Sequence, residues 1–120
     1  PAVRKNVATY HDNVSALDHQ VGDVLKLIDE KGWAKNTVVF FFGDHGMGLP
    51  RGKRWPYDTG TRVPLMVRWP GHLKPGSVRD DLVCFLDLGP TVLGLAGAAK
   101  PERMQGRVML GDKTEPAPQY

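Results

Sequence analysis

The feature that most constrains this chain is an apolar run that stops at a polar tetrapeptide. Residues 37–42 (TVVFFF) are followed directly by Gly-Asp-His-Gly at residues 43–46. A continuous apolar run, without alternation, predicts a strand that is buried on both faces. In open α/β sheets, ligands bind outside the carboxyl ends of the strands. The run therefore predicts a binding site at its polar end, on Asp44 and His45.

A helix and a second strand are predicted on either side of this site. Between residues 7 and 31, apolar side chains recur at spacings of three and four, which predicts an amphipathic helix. Gly32 suits a left-handed cap at its end. A strand is predicted over residues 62–68, with Pro64 at its start or on an edge, because proline cannot donate to a ladder. Helix, turn and buried strand indicate the α/β class.

The remaining segments read as loops and one short helix. Residues 43–60 form a long loop rich in glycine, proline and basic residues, and such loops are usually functional or disordered. Trp55, in this loop, is expected to pack. Asp87 is predicted to be the N-cap of a short helix that Gly97 closes. Cys84 lies in an apolar run and is expected to be a buried, inert thiol.

Composition excludes some partners and leaves others open. The formal net charge is +3, and the basic residues are dispersed except at residues 51–54. This does not indicate a nucleic-acid partner, and a small anionic ligand fits it equally well. The single cysteine excludes an internal disulfide, and no apolar run approaches the roughly 18 residues of a membrane helix. The first residue is Pro1, so we expect a fragment or a processed product; compartment and oligomeric state are not predicted.

The Asp44–His45 pair has two readings of equal weight. Hard divalent cations take oxygen ligands, while imidazole suits borderline and transition metals, so the pair can supply one ligand of each kind. In the alternative, Asp44 bonds its own backbone in a turn and His45 is a solvated loop residue.

The basic residues of the loop also have two readings. The Lys53 ammonium can neutralise the non-bridging oxygens of a sulfate or phosphate ester while charge develops in the transition state. Arg51, Arg54 and Arg62 could assist, because arginine is the better bidentate partner for oxyanions. In the alternative, these residues form a solvated basic surface.

Several long motifs, in the same order, resemble the type I sulfatases of the alkaline phosphatase-like superfamily. Residues 10–46 are similar to a family run that leads from a helix into a strand ending in DHG or DNG. Residues 52–71 (GKRWPYDTGTRVPLMVRWPG) resemble the segment GK…YEGG.RVP…WPG, and residues 87–97 (DLGPTVLGLAG) resemble D..PT…LAG. Gln105-Gly106-Arg107 resembles a following QG element. The resemblance implies an alkaline phosphatase-like α/β fold with a mostly parallel sheet flanked by helices. Residues 1–110 would be a central to C-terminal part of the catalytic domain, and residues 111–120 an extended or disordered tail.

The resemblance also implies roles for individual residues in a sulfuric ester hydrolase. Asp44 stands where the family places a carboxylate ligand of a divalent cation, usually Ca²⁺, with Mn²⁺ or Zn²⁺ as alternatives. His45 stands at the next metal position, which is Asn in many members and His in others. Lys53 matches the catalytic lysine that contacts the sulfate group of a small anionic substrate. Arg62 matches the RVP arginine, with a structural or substrate-adjacent role.

Parts of the family site are absent from this sequence. The family's nucleophile is a formylglycine made from Cys or Ser in a C/S-x-P-x-R motif, and no such motif is present. The aspartates that complete the metal site and the histidine that acts on the leaving group are missing as well. We therefore expect a fragment that is inactive by itself, with the formylglycine in an upstream segment. The alternatives are a phosphonate monoester or phosphodiester hydrolase of the same superfamily, which the Asp-His pair with Mn²⁺ or Zn²⁺ would suit, and a catalytically silent, sulfatase-derived binding module.

Overall fold

Helices and strands alternate along the chain, as the α/β class predicts. The computed structural model describes residues 2–118. Its elements are α1 (Ala2–Glu30), β1 (Val39–Phe42), α2 (Asp58–Thr61), β2 (Leu65–Arg68) and α3 (Leu88–Leu95), with 3₁₀ turns at Ala34–Asn36 and Phe85–Asp87. Within residues 2–118, no helix combines the length and the apolar content needed to cross a membrane. The chain divides after Pro75 into two compact units.

The strand pair of the first unit is antiparallel. Phe42 of β1 lies opposite Leu65 of β2, and the Gly43 N–H extends the pairing by donating to the carbonyl oxygen of Pro64 at 3.1 Å. The expectation of a mostly parallel sheet is not confirmed, because residues 43–64 return the chain alongside β1 in the opposite direction. Burial of β1 on both faces is not found either: Phe42 is 43% exposed, since no third strand covers this pair among the described residues.

Helix α1 ends against the strand pair. It begins earlier than predicted, at Ala2. Gly32 has a φ of 69°, and its N–H donates to the carbonyl oxygen of Asp29 at 3.0 Å, which confirms the predicted cap. Asp29 also accepts from Arg68 of β2 at 2.7 Å. The apolar stripe is half-buried at Val21, Leu25 and Ile28 and exposed at Val14, Leu17 and Val24.

The core of the second unit forms where α3 meets residues 107–110. Val108, Met109 and Leu110 are buried, and Thr91 of α3 is fully buried. The Thr91 hydroxyl donates to the carbonyl oxygen of Asp87 at 2.6 Å and accepts from the Met109 N–H at 2.9 Å. Gly97, with a φ of 72°, closes α3 as predicted.

One prediction for the second unit is confirmed in position only, and another is wrong. Asp87 is the N-cap residue of α3, as predicted, but its carboxylate forms no cap hydrogen bond with the helix; it accepts from the N–H groups of Cys84 at 3.1 Å and Arg107 at 2.9 Å. Residues 82–86, which precede the buried Asp87, are exposed, so Cys84 is exposed where a buried thiol was expected. In the predicted tail, Glu115 bonds the carbonyl oxygen of Val108 through its N–H at 2.7 Å, while residues 119 and 120 lie outside the described residues.

Candidate active site at the end of β1

Asp44 and His45 lie directly beyond β1, where the strand pairing ends. Asp44 Oδ2 and His45 Nε2 are 3.4 Å apart. The other ring nitrogen of His45, Nδ1, lies 2.8 Å from the carbonyl oxygen of Gly46. The Asp44 side chain is 81% accessible and that of His45 is 38% accessible. The structure therefore brings the two predicted metal ligands together on one exposed turn, and Asp44 forms no bond to its own backbone among the described residues.

The hydrogen bond at Nδ1 decides what Nε2 presents to Asp44. A carbonyl oxygen can only accept, so the bond to Gly46 requires a proton on Nδ1. In the neutral imidazole, Nε2 then directs a lone pair towards the Asp44 carboxylate, which also only accepts. With this tautomer, both the Nε2 lone pair and a carboxylate oxygen of Asp44 can be directed at one bound cation.

The separation of the two acceptors fits a pair of ligands that share one metal. At 3.4 Å, the two atoms are close enough that both could bind one cation at the usual calcium distance of about 2.4 Å or the usual zinc distance of about 2.1 Å. Within residues 2–118, no third His, Cys, Asp or Glu joins the pair to form a group of three. The donors therefore fit part of a divalent-cation site and are compatible with both metals.

The loop after β1 closes on itself through its backbone. The Gly46 N–H donates to the carbonyl oxygen of Gly60 at 3.0 Å, which joins the two ends of the loop. The contact is close enough that a Cβ at Gly46 would lie 1.8 Å from the carbonyl oxygen of Thr59. The Lys53 N–H donates to the carbonyl oxygen of Met47 at 2.8 Å. These bonds order the long loop and hold the Lys53 backbone against the residue that follows Gly46.

Lys53 lies beside two arginines in left-handed backbone conformations. Residues 49–52 and residues 52–55 form consecutive turns, each closed by a hydrogen bond from its fourth N–H to its first carbonyl oxygen, of 3.0 and 3.1 Å. Arg51 and Arg54 occupy the third position of these turns, with φ values of 66° and 76°. Type II turns need a positive φ there and usually place glycine or asparagine at it. The side chains of Lys53, Arg51 and Arg54 are all exposed.

Arg62 follows α2, and its N–H donates to the carbonyl oxygen of Asp58 at 2.8 Å. Its side chain is exposed. In the part of the chain that the structure describes, neither Lys53 nor Arg62 makes a side-chain hydrogen bond or ion pair with Asp44 or His45. The structure thus brings together two of the four predicted site residues, and the roles of Lys53 and Arg62 stay predictions.

Two contacts in the loop were not predicted from the sequence. The Thr59 hydroxyl donates to the carbonyl oxygen of Arg51 and braces the first turn. The rings of Trp55 and Tyr57 lie 9° from parallel, with centroids 5.9 Å apart, and each residue is 52% exposed. No sequence pattern signals these contacts, because the turns themselves bring the partners together.

A second charged cluster lies in residues 76–118. The Arg107 side chain is 10% accessible and donates to two backbone carbonyl oxygens at 2.9 and 3.0 Å. Its Nε atom has no hydrogen-bond partner among the described residues and lies 3.9 Å from Asp87 Oδ2. Arg79 donates to both carboxylate oxygens of Asp81, and this hydrogen bonding is the main cause that lowers the pKa of the Asp81 carboxyl. The cluster joins separate segments of the second unit, and we assign it a structural role.

Comparison with known proteins gives one consistent family. A family model described as Sulfatase matches residues 2–98. The chain is similar to an ulvan-active sulfatase of Formosa agariphila, with 38% identity over 109 residues that cover 91% of this chain and 18% of that protein. It is also similar to a steryl-sulfatase of Mus musculus, with 39% identity over 109 residues covering 77% of this chain and 18% of that protein. An N-acetylgalactosamine-6-sulfatase of Rattus norvegicus is 37% identical over 105 residues, covering 77% of this chain and 20% of that protein. The chain thus spans about a fifth of the length of these relatives.

Proposed function

This chain belongs to the sulfatase family, and on that premise we propose that the protein containing it hydrolyses sulfate esters. The observation that carries the proposal is a pair of donors, Asp44 Oδ2 and His45 Nε2, 3.4 Å apart at the strand-end motif that resembles the family's metal-binding element. The family implies an alkaline phosphatase-like α/β fold. We propose that this chain is a central to C-terminal part of such a domain, and that its two strands belong to a larger, mostly parallel sheet.

Asp44 and His45 are the proposed ligands of a divalent cation. Ca²⁺ is the first candidate from the family resemblance, and the mixed oxygen and nitrogen donors also suit Mn²⁺ or Zn²⁺. Bound there, the cation would stabilise negative charge on the sulfate oxygens. Calcium takes about six to eight ligands, and two are available here. We therefore propose that the other ligands and a formylglycine nucleophile come from outside these 120 residues.

Lys53 is the proposed sulfate-binding residue. Its backbone is fixed by the bond to the Met47 carbonyl oxygen at 2.8 Å, while its ammonium has no hydrogen bond or ion pair within residues 2–118. An unpaired ammonium on an ordered turn can bind the sulfate oxygens and offset charge that develops towards the leaving group. Arg62 is proposed as a further cation near the substrate.

Substitutions in the full-length protein test this assignment. Asp44→Asn and Lys53→Ala are each expected to lower turnover of 4-nitrophenyl sulfate by about a hundredfold or more. Asp44→Asn should also reduce the bound divalent metal, whereas Lys53→Ala should not. Asp58→Asn makes the same charge change in the same loop, and its carboxylate has no partner among the described residues, so it is the matched control. Turnover within a few-fold of wild type for either site variant would refute the assignment.

A second candidate is hydrolysis of a phosphonate monoester or a phosphodiester. The His45 nitrogen favours it, because imidazole suits Mn²⁺ and Zn²⁺. Metal analysis of the purified protein, combined with turnover of bis(4-nitrophenyl) phosphate and 4-nitrophenyl sulfate, separates the two functions. Calcium with preferred cleavage of the sulfate supports the sulfatase; manganese or zinc with preferred cleavage of the phosphate supports the alternative.

A further inference from the structure

The turns that contain Arg51 and Arg54 do not explain why these two positions are arginine and not glycine. Their φ values of 66° and 76° lie in the left-handed region, where a side chain with a Cβ is strained and glycine is not. Glycine at either position would form the same turn with less strain. Strained residues of this kind cluster at functional sites, where the strained conformation serves to place a group.

Pairing within the described chain does not explain these arginines either. Arg68 and Arg79 bind carboxylates, and Arg107 binds backbone carbonyl oxygens. The guanidinium groups of Arg51 and Arg54 are exposed and have no hydrogen bond or ion pair within residues 2–118, as is also true of Arg4, Arg62 and Arg103. Arg51 and Arg54 differ from those three in their positive φ angles, and in the described chain both are accessible to an anion.

The loop carries more positive charge than one sulfate ester needs. Residues 43–62 contain four Lys or Arg side chains and two carboxylates, and one of those carboxylates, Asp44, is assigned to the metal. A sulfate monoester has a single negative charge, which the ammonium of Lys53 can pair with, and Arg62 is a further cation in the same segment. The two arginines beside Lys53 therefore have the charge to pair with a further anionic group.

The aromatic pair next to Arg54 indicates what connects the two anionic groups. Trp55 and Tyr57 have parallel, offset rings that are each 52% exposed. An exposed aromatic face packs against the C–H face of a sugar ring, while the indole N–H and the phenol O–H can bond its hydroxyl groups. A ring platform beside two guanidinium groups fits a cyclic substrate with anionic groups at two positions.

We propose that Arg51 and Arg54 bind a second oxyanion of the substrate, so that the protein prefers saccharides carrying another sulfate or a carboxylate besides the sulfate that is removed. Guanidinium groups pair bidentately with both oxyanions. The inference rests on the proposed sulfatase function and adds specificity to the same site.

The test compares matched substrates in the full-length protein. Wild type is expected to show a higher kcat/KM for a disulfated disaccharide than for its monosulfated counterpart; a monosulfated disaccharide with a uronic acid tests the carboxylate. Arg54→Gly should raise KM for the disulfated substrate by about ten- to a hundredfold, the loss expected for a charge-assisted hydrogen bond. Its Tm should not fall, because glycine relieves the strain. Arg54→Lys keeps the positive charge but cannot form a bidentate pair, so its KM for the disulfated substrate should lie between those of wild type and Arg54→Gly. Arg103→Gly is the control for loss of an exposed arginine elsewhere in the chain.

Each other outcome overturns the inference. An unchanged substrate preference in Arg54→Gly shows that the guanidinium does not bind the second group. If Arg54→Gly lowers kcat/KM equally for the disulfated and the monosulfated substrate, the Arg54 guanidinium acts at the sulfate that is removed. If Arg54→Gly lowers the Tm, Arg54 stabilises the folded chain instead. If wild type hydrolyses no sulfate ester, the proposed function fails together with the inference, whereas intact turnover with an unchanged preference refutes the inference alone.

Discussion

Replacing Gly46 with alanine tests whether the closed loop backbone positions the candidate site. A Cβ at this position would lie 1.8 Å from the carbonyl oxygen of Thr59, whereas real Cβ atoms stay at least 3.0 Å away. The two backbones must therefore separate by about 1.2 Å, the difference between these distances. The obstacle is a main-chain atom, so no side-chain rotation can relieve the contact.

A separation of this size is expected to reduce both the stability of the loop and the rate of turnover. It disrupts the hydrogen bond from the Gly46 N–H to the Gly60 carbonyl oxygen, which is 3.0 Å long and contributes about 0.5–1.5 kcal/mol. Because Gly46 adjoins His45, the shift also moves the proposed metal ligand. A misplacement of about 1 Å costs about a hundredfold in turnover. We therefore expect kcat/KM of the full-length protein on 4-nitrophenyl sulfate to fall by about that factor.

The matched control lies two residues away. A Cβ at Gly48 would meet no atom within 4 Å, so Gly48→Ala should keep wild-type turnover, metal content and Tm. Turnover and metal content are measured for both variants, with thermal unfolding to identify any gross loss of folding. If Gly46→Ala matches Gly48→Ala in turnover, closure of this loop does not position the site and the reasoning is wrong.

Three further predictions concern the second unit and the isolated chain. Thr91→Val should lower the free energy of unfolding, measured in denaturant, by about 1–3 kcal/mol, since the buried Met109 N–H loses its acceptor. Thr91→Ser keeps that hydrogen bond and should cost only about 1 kcal/mol for the lost methyl group. If both variants lost the same stability, the hydroxyl would not have the role described. Arg79 lowers the folded-state pKa of Asp81 below its usual 3.8, so the stabilisation from this pair is complete above that value and is lost as the pH falls through the lower folded pKa. Asp81→Asn should therefore make the free energy of unfolding depend less on pH in the acid range. An unchanged pH dependence would count against a stabilising role for the pair. The 120-residue chain alone should not hydrolyse 4-nitrophenyl sulfate, because it has two metal donors and no C/S-x-P-x-R motif; metal-dependent turnover by it would show this to be wrong.

Local patterns in the sequence were sufficient for the features that depend on neighbouring residues. Gly32 and Gly97 end their helices as predicted, because a left-handed cap depends on one φ angle and a missing Cβ. Asp44 and His45 are adjacent in the chain, so their meeting at the end of an apolar strand needed no long-range contact. The order of the motifs was sufficient to predict the family, which the match over residues 2–98 confirms.

The tertiary structure alone decided the features that join distant residues. The direction of β2 depends on the path of the intervening loop, and that path is set by backbone contacts such as Gly46 to Gly60. A local pattern assigned Asp87 to the start of α3, yet its carboxylate bonds Arg107, far along the chain. Backbone N–H and C=O groups are present at every residue, so only the folded path determines which of them a given group meets.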